Sequence, residues 1–306
     1  MRIFWGLVVA VVLGAMAPQP VAAAGRPLDT TPRTLVMSAY APEWQALLAA
    51  TRDRKNYVVN GNRFVTGKMA GKNVVLALSG VSMVNAAMTT QLAIDRFNAS
   101  AIVFSGIAGG VDPGLNIGDV VVADRWAEYL ESVFAREANG VFTPPKSNAA
   151  KNRYANFGMI FPRATEVVRT GATQPEYRFW FPVDAGMLDV ASRVSRTVAL
   201  ETCADGKCLA HTPKIVVGGN GVSGQAFVDN AEFRSYAFQT FHARVLDMES
   251  AATAHVAYSN GVPFIAFRSL SDLAGGGDGE NELGTFFTLA SANSAKVVMA
   301  FLAALP

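Results

Sequence analysis

The sequence predicts an α/β fold: a single domain with a central mixed β-sheet flanked by helices. Three observations carry that expectation. Short β-branched runs alternate with stretches of helical period. Acids, glycines and an arginine stand at the ends of those runs, where open α/β sheets collect their ligands. Of the 306 residues, 51% are apolar, which suffices for one substantial core.

Residues 1–24 are a separate object. Arg2 supplies a positive start, Ile3 to Ala17 form an apolar run, and Ala22-Ala23-Ala24 closes it with small residues. That is a signal-peptide pattern. The run falls short of the ~20 apolar residues of a spanning helix and holds Gly6 and Gly14. The expected mature chain therefore starts near residue 25, is secreted or periplasmic, and has no stable membrane insertion after cleavage. No later stretch reads as a membrane span.

Thr34 to Ser38 reads as a buried strand, and Pro42 fits the first turn of the helix that follows, with Glu43 at the strand-to-helix turn. Asn60-Gly61-Asn62 marks a hairpin between Tyr57–Val59 and Phe64–Met69, and Val74 to Leu78 is a further strand. Ser82 is placed to cap a helix carrying Val84, Met88 and Leu92. Ala101 to Phe104 reads as a strand ending in the loop Ser105-Gly106-Ile107-Ala108-Gly109-Gly110, and Val120 to Ala123 as the next strand.

From about Glu131 to Pro182 the pattern dissolves into aromatics and prolines, an irregular excursion from the core. Order returns with helices near Asp184–Val194 and Ala231–Phe241, strands at Ile215–Val217 and Val245–Met248, and a helix Glu249–Asn260 closed by Gly261. Pro263 to Phe267 is a strand, Leu270 to Gly284 a loop, and Thr285 to Leu305 a last helix. One domain spans residues 25–306.

Composition excludes some functions. A formal charge of +2 leaves no electrostatic footprint for a nucleic-acid partner. Cys203 and Cys208 flank the turn-like Ala-Asp-Gly-Lys, so a local disulfide and two free thiols both remain open. His211, His242 and His255 have no metal spacing, and His255 on an apolar helix reads as a packing residue. No metal or cofactor is expected.

Gly219-Asn220-Gly221-Val222-Ser223-Gly224 fits a dinucleotide fingerprint on paper. A true fingerprint runs its last glycine into a helix, but here Phe227-Val228-Asp229-Asn230 intervenes. The plain alternative is a glycine-rich loop.

Glu43, Glu249 and Asp272 fall at strand ends. Breaking a base-to-ribose bond passes through a cationic sugar, which calls for a proton donor, an oriented nucleophile and acceptors for ribose hydroxyls. Singly, each acid also fits an ordinary role as a turn former or helix-start charge. Arg268 after an apolar strand is read as facing a ligand anion in preference to a buried carboxylate.

Three segments then carry a resemblance: Ser105-Gly106-Ile107-Ala108-Gly109-Gly110, Asp247-Met248-Glu249-Ser250-Ala251-Ala252, and Arg268-Ser269-Leu270-Ser271-Asp272. In order and position they resemble the nucleoside phosphorylase and nucleosidase family. The chain is most similar to its 5'-methylthioadenosine/S-adenosylhomocysteine nucleosidase branch, which has a glutamate where Glu43 stands; phosphorylases carry a phosphate loop with an arginine there.

The resemblance implies a nucleoside phosphorylase-like fold and hydrolysis of a purine nucleoside to free base and sugar. It implies that Asp272 serves N7 of the leaving purine, that Glu249 and the Met248 backbone bind ribose, and that Glu43, helped by Arg268, activates water. Phe227 would stack on the base and the Val228 backbone read its edge, with Gly109 and Ser271 lining the site. A homo-oligomer, a dimer first, is implied too. Ile107 and Gln225 depart from the branch's pattern. A phosphate-dependent phosphorylase and an inactive nucleoside-binding or storage protein are the alternatives.

Overall fold

The structure is a computed structural model and describes residues 26–146, 154–277 and 279–306. The expected leader lies outside the described residues, as do residues 147–153 of the excursion.

A 12-stranded mixed sheet forms the centre. Its strands are β1 (Asp29–Ser38), β2 (Arg52–Val59), β3 (Asn62–Met69), β4 (Lys72–Leu78), β5 (Phe97–Gly110), β6 (Val120–Val122), β7 (Arg125–Glu128), β8 (Trp180–Pro182), β9 (Ile215–Val217), β10 (Asn220–Ser223), β11 (Ala243–Asp247) and β12 (Phe264–Asp272). The helices are α1 (Ala41–Ala50), α2 (Met83–Arg96), α3 (Ala185–Val194), α4 (Ala231–Phe241), α5 (Ser250–Asn260) and α6 (Leu283–Ala304).

The main path runs β8-β7-β10-β11-β5-β1-β4-β3-β2, with β12 paired to β5 and β6, and β6 to β9. Strands β1, β4, β5 and β12 are parallel to one another, whereas β11 meets β5 antiparallel through Val245↔Gly110 and Leu246↔Gly109. Two strand sets of opposite sense therefore meet at the end of β5. Consecutive residues Leu35–Ser38 and Val74–Ala77 are all buried, so helices must cover both faces of the sheet.

The hairpin turn is as expected: Asn60 and Gly61 hold φ of 49° and 79°, and Val59 pairs with Asn62. A second turn of the same kind, Ala70-Gly71, joins β3 to β4.

Three expectations are corrected. The glycine-rich segment 105–110 is the far half of β5, because β12 and β11 pair with it from both sides. Strand β12 likewise continues past Phe267 to Asp272. The excursion is built of short ladders, 132–134 with 160–162, 136–138 with 141–143 and 165–167 with 176–178, and its end, Trp180–Pro182, joins the sheet edge. Its aromatics have a job: Tyr154, Phe157 and Phe179 pack on Phe233, Tyr236 and Phe241 of α4.

Helix α6 is long and apolar enough to cross a membrane, contrary to the expectation that no late segment would be. Its setting is a core helix. It packs on β12 and β5, and buried Ser294 receives the Gly106 N–H at 3.0 Å and donates to the Phe267 carbonyl at 3.0 Å. One polar side chain thus ties both central strands to the helix.

The glycines of 219–224 accommodate side chains, not a phosphate. A Cβ at Gly219 would meet Arg244 at 2.4 Å, at Gly221 the Trp126 ring at 2.6 Å, and at Gly224 Leu130 at 2.5 Å. The dinucleotide alternative finds no cradle there. Cys203 and Cys208 are joined by a disulfide across a two-residue turn, with Asp205 and Gly206 in left-handed conformations.

Candidate active site

A cavity of about 430 Å³ opens at the end of β5, between the two strand sets. Among the residues around it are Glu43, Gly109, Phe227, Val228, Met248, Glu249, Ser271 and Asp272. All three acids singled out from the sequence are therefore in one place, and all three are buried, at 3%, 5% and 2% exposure for Glu43, Glu249 and Asp272.

Glu43 is the most firmly fixed. Tyr40 ends the extended segment and α1 begins, so the third helical residue turns its carboxylate back on the chain. Its Oε2 accepts from the Ala39 and Tyr40 amides, each at 3.0 Å, and its Oε1 from the Ile107 amide at 2.9 Å. Burial raises its proton affinity, opposed by the Arg268 charge and those three amides.

Glu249 precedes α5. Its Oε1 accepts from the Ser82 amide at 2.7 Å, and its Oε2 lies 3.3 Å from Arg268 Nη2. Burial pushes its pKa up to about 7, against the pull of Arg268 and with the push of Asp247. Ser82 stands at the start of α2, as expected, but its side chain makes no cap bond. Its backbone sits at φ 84° and serves Glu249 instead. A non-glycine residue in that region is strained, and such strain gathers at functional sites.

Asp272 ends β12. Ser271 Oγ donates to its Oδ2 at 2.9 Å and the Ala274 amide to its Oδ1 at 2.8 Å. Burial raises its pKa, with Glu282 adding to the rise and its hydrogen bonds opposing it. Gly109 packs closely beside it: a Cβ there would come 3.2 Å from Asp272 Oδ1 and 3.1 Å from Ala274, so its neighbours would have to give way slightly.

Arg268 is placed differently from the expectation. It does not line the cavity: at 1% exposure it lies behind the acids, 2.7 Å from Asp247 Oδ2, with Nε donating to Ser250 Oγ at 2.9 Å and Nη1 to the Ile107 carbonyl at 3.1 Å. Its guanidinium covers the Phe104 ring at 4.3 Å. A buried charge needs this much company, and Asp247, Glu249, Ser250 and the Ile107 carbonyl supply it. Gly106 explains the first glycine of the motif, because a Cβ there would meet Arg268 Nη1 at 2.4 Å and Glu43 Oε1 at 2.9 Å.

Asp247 is the residue that sequence reading passed over. Its Oδ1 accepts from Ser223 Oγ at 2.5 Å and from the Glu249 and Ser250 amides at 3.1 Å, so it caps α5 while holding Arg268. Its position one strand-end before a helix was the available signal. Leu283, Gly284 and Phe287 of α6 supply a far wall that no motif announced.

Phe227 is 55% exposed at the cavity edge and Val228 is buried beside it. His255 packs as expected, stacked on Phe181 and 2.9 Å from Glu128.

Four carboxyl groups line the cavity and the Arg268 guanidinium stands behind them; those that are ionised set up a negative field. Such a field stabilises positive charge developing on a bound sugar and repels an anionic co-substrate.

Comparison with known proteins agrees with this geometry. A 5'-methylthioadenosine/S-adenosylhomocysteine nucleosidase of Mycobacterium bovis is 29% identical over 273 residues, covering 87% of this chain and 95% of its own. The crystal structure of the nucleosidase of that name from Neisseria meningitidis, in complex with methylthio-immucillin-A, superposes with a TM-score of 0.67 at 26% identity, covering 89% of this chain and 99% of that one. Bark storage protein A of Populus deltoides is 26% identical over 229 residues, 71% of this chain and 70% of its own. The family model described as the phosphorylase superfamily matches residues 33–303, and this chain belongs to that superfamily.

Proposed function

We propose that this protein is a purine nucleosidase that hydrolyses the N-glycosidic bond of adenosine-type nucleosides, methylthioadenosine and adenosylhomocysteine among them. The observation that carries the reading is the convergence of three buried, separately anchored carboxyl groups on one cavity.

Their environments suit three roles. Asp272, its pKa raised by burial, keeps a proton for N7 of the purine as the bond from base to sugar breaks and its electron pair passes to the base. Glu249 accepts hydrogen bonds from the ribose hydroxyls, with Met248 alongside. Glu43 takes the proton of the water that attacks the sugar carbon, and burial has raised its appetite for that proton. Arg268 acts from behind, holding Asp247 and Glu249. Phe227 stacks on the base next to Val228.

Water, not phosphate, is the co-substrate in this reading. A phosphate would need amide donors and a free cation near Glu43. The Ala39, Tyr40 and Ile107 amides already serve Glu43, and Arg268 is paired. Purified protein in phosphate-free buffer should release free base from methylthioadenosine; absence of release from every purine nucleoside would refute the assignment, and binding without turnover would favour the storage alternative.

Two further readings go with it. Residues 1–24 act as a leader that sends the mature chain to a secreted or periplasmic site; an N-terminal sequence still beginning at Met1 in the active protein would refute this. The chain pairs with a second copy, a reading supported by Val81, which lines the cavity, and by Val84 and Met88 on α2, all three exposed. A monomer in sedimentation at working concentration would refute that.

A further inference from the structure

Asn281 belongs to no motif, yet its side chain ties together two segments that carry walls of the cavity. Its Nδ2 donates to Asp229 Oδ1 at 2.9 Å, in the residue after Phe227-Val228. Its Oδ1 accepts from the Leu283 amide at 2.9 Å, at the start of α6, whose Leu283, Gly284 and Phe287 line the far wall. The same side chain lies close enough to the Asp272 carboxyl group to oppose the rise in its pKa that burial imposes.

The two loops it spans are also joined by backbone. The Asn230 amide donates to the Ala274 carbonyl at 3.1 Å, and a Cβ on Gly275 would come 2.3 Å from the Asn230 nitrogen. The segment between Asp272 and Asn281 holds Gly275, Gly276, Gly277 and Gly279. Glycine loses more freedom on ordering than any other residue, so a segment this rich in it needs a fastening at its far end as well as at Ala274.

We propose that Asn281 is a positioning residue for the reaction: by latching Asp229 to the Asp272 segment it sets the proton donor and the base platform in one fixed relation. This rests on the nucleosidase reading above. The latch is at the surface, where such a pair adds little to global stability, so its value lies in geometry, which is where small displacements cost rate.

The test uses the full protein with Asn281→Ala, Asp229→Ala and both together. Each single change should lower kcat on methylthioadenosine by about tenfold, alter KM less than kcat, and leave Tm within experimental scatter; the double variant should lose no more than the worse single one. Additive losses, an unchanged kcat, or a Tm that falls in step with kcat would overturn the proposal. Hydrogen exchange separates this from a failure of the nucleosidase reading. Whatever the substrate, Asn281→Ala should speed exchange of the amides of Ala274 and Asn230 together, and unchanged exchange at both would overturn the latch even in an active enzyme.

Discussion

Asp272, Glu249 and Glu43 are chemically similar acids whose surroundings separate them. Asp272 has a serine and one amide on its carboxyl group, Glu249 an amide and a guanidinium, and Glu43 three amides. Asp272→Asn should reduce turnover by about 100-fold or more, since general-acid help is typically worth that much. If Asp272 works as the protonated acid, wild-type activity falls as pH rises through its raised pKa, and the residual activity of the variant should lack that alkaline limb. A limb of unchanged position in kcat against pH would assign it to another group.

Glu249 yields a stability prediction with a definite sign. Its folded pKa of about 7 stands above the ordinary 4.5. Below 4.5 it is protonated in both states and costs nothing. Between 4.5 and 7 the unfolded chain releases the proton that the folded chain retains, so the folded state loses stability as pH rises through that window. Glu249→Gln cannot titrate, and its Tm relative to wild type should therefore improve from pH 4.5 to pH 7, which thermal melts at both ends would check. The same variant should lose more activity on ribosides than on 2'-deoxyribosides. The three acids were legible in the sequence because they fall at strand ends. Arg268 was legible as a site residue but not in its direction, since a lone arginine after an apolar strand does not reveal which carboxylates the fold brings behind it. Ser82 was legible as a helix start but not as a donor to Glu249, 167 residues away. Asn281 carried no signal at all, because its partners are set by tertiary contact.

At the scale of elements, the end of β5 decides the site. Glycines at 106 and 109 let the strand pass between Arg268, Glu43 and Asp272 with no side chain of its own in the way. Glycine in a run normally argues for a loop, which is why the sequence suggested one; the pairing of β12 on one side and β11 on the other overrides that preference. Gly106→Ala should force Arg268 and Glu43 apart, destabilise the fold by about 1–3 kcal/mol, and lower activity further than the stability loss explains. Denaturant melts beside kinetics would show it, and a variant with normal kcat would contradict the packing account. The terminal helix was legible in extent, whereas its burial followed only from the sheet it covers. The excursion was not legible because its ladders are three residues long, too short for a period to emerge, and their aromatics find partners on α4 far along the chain.

At the scale of the whole molecule, one mixed sheet brings two strand sets of opposite sense together and places the cavity where they meet. The alternation of runs and helices made this fold class readable, but not the reversal at β11, which depends on where a 14-residue strand ends. The pocket that results is lined by carboxyl groups, with the buried Arg268 behind them already paired, and this arrangement is the basis for water in place of phosphate. The most direct measurement is the product analysis of methylthioadenosine turnover with and without phosphate. The account predicts free adenine and the free sugar at the same rate in both. A strict requirement for phosphate, with the sugar recovered as its 1-phosphate, would contradict it.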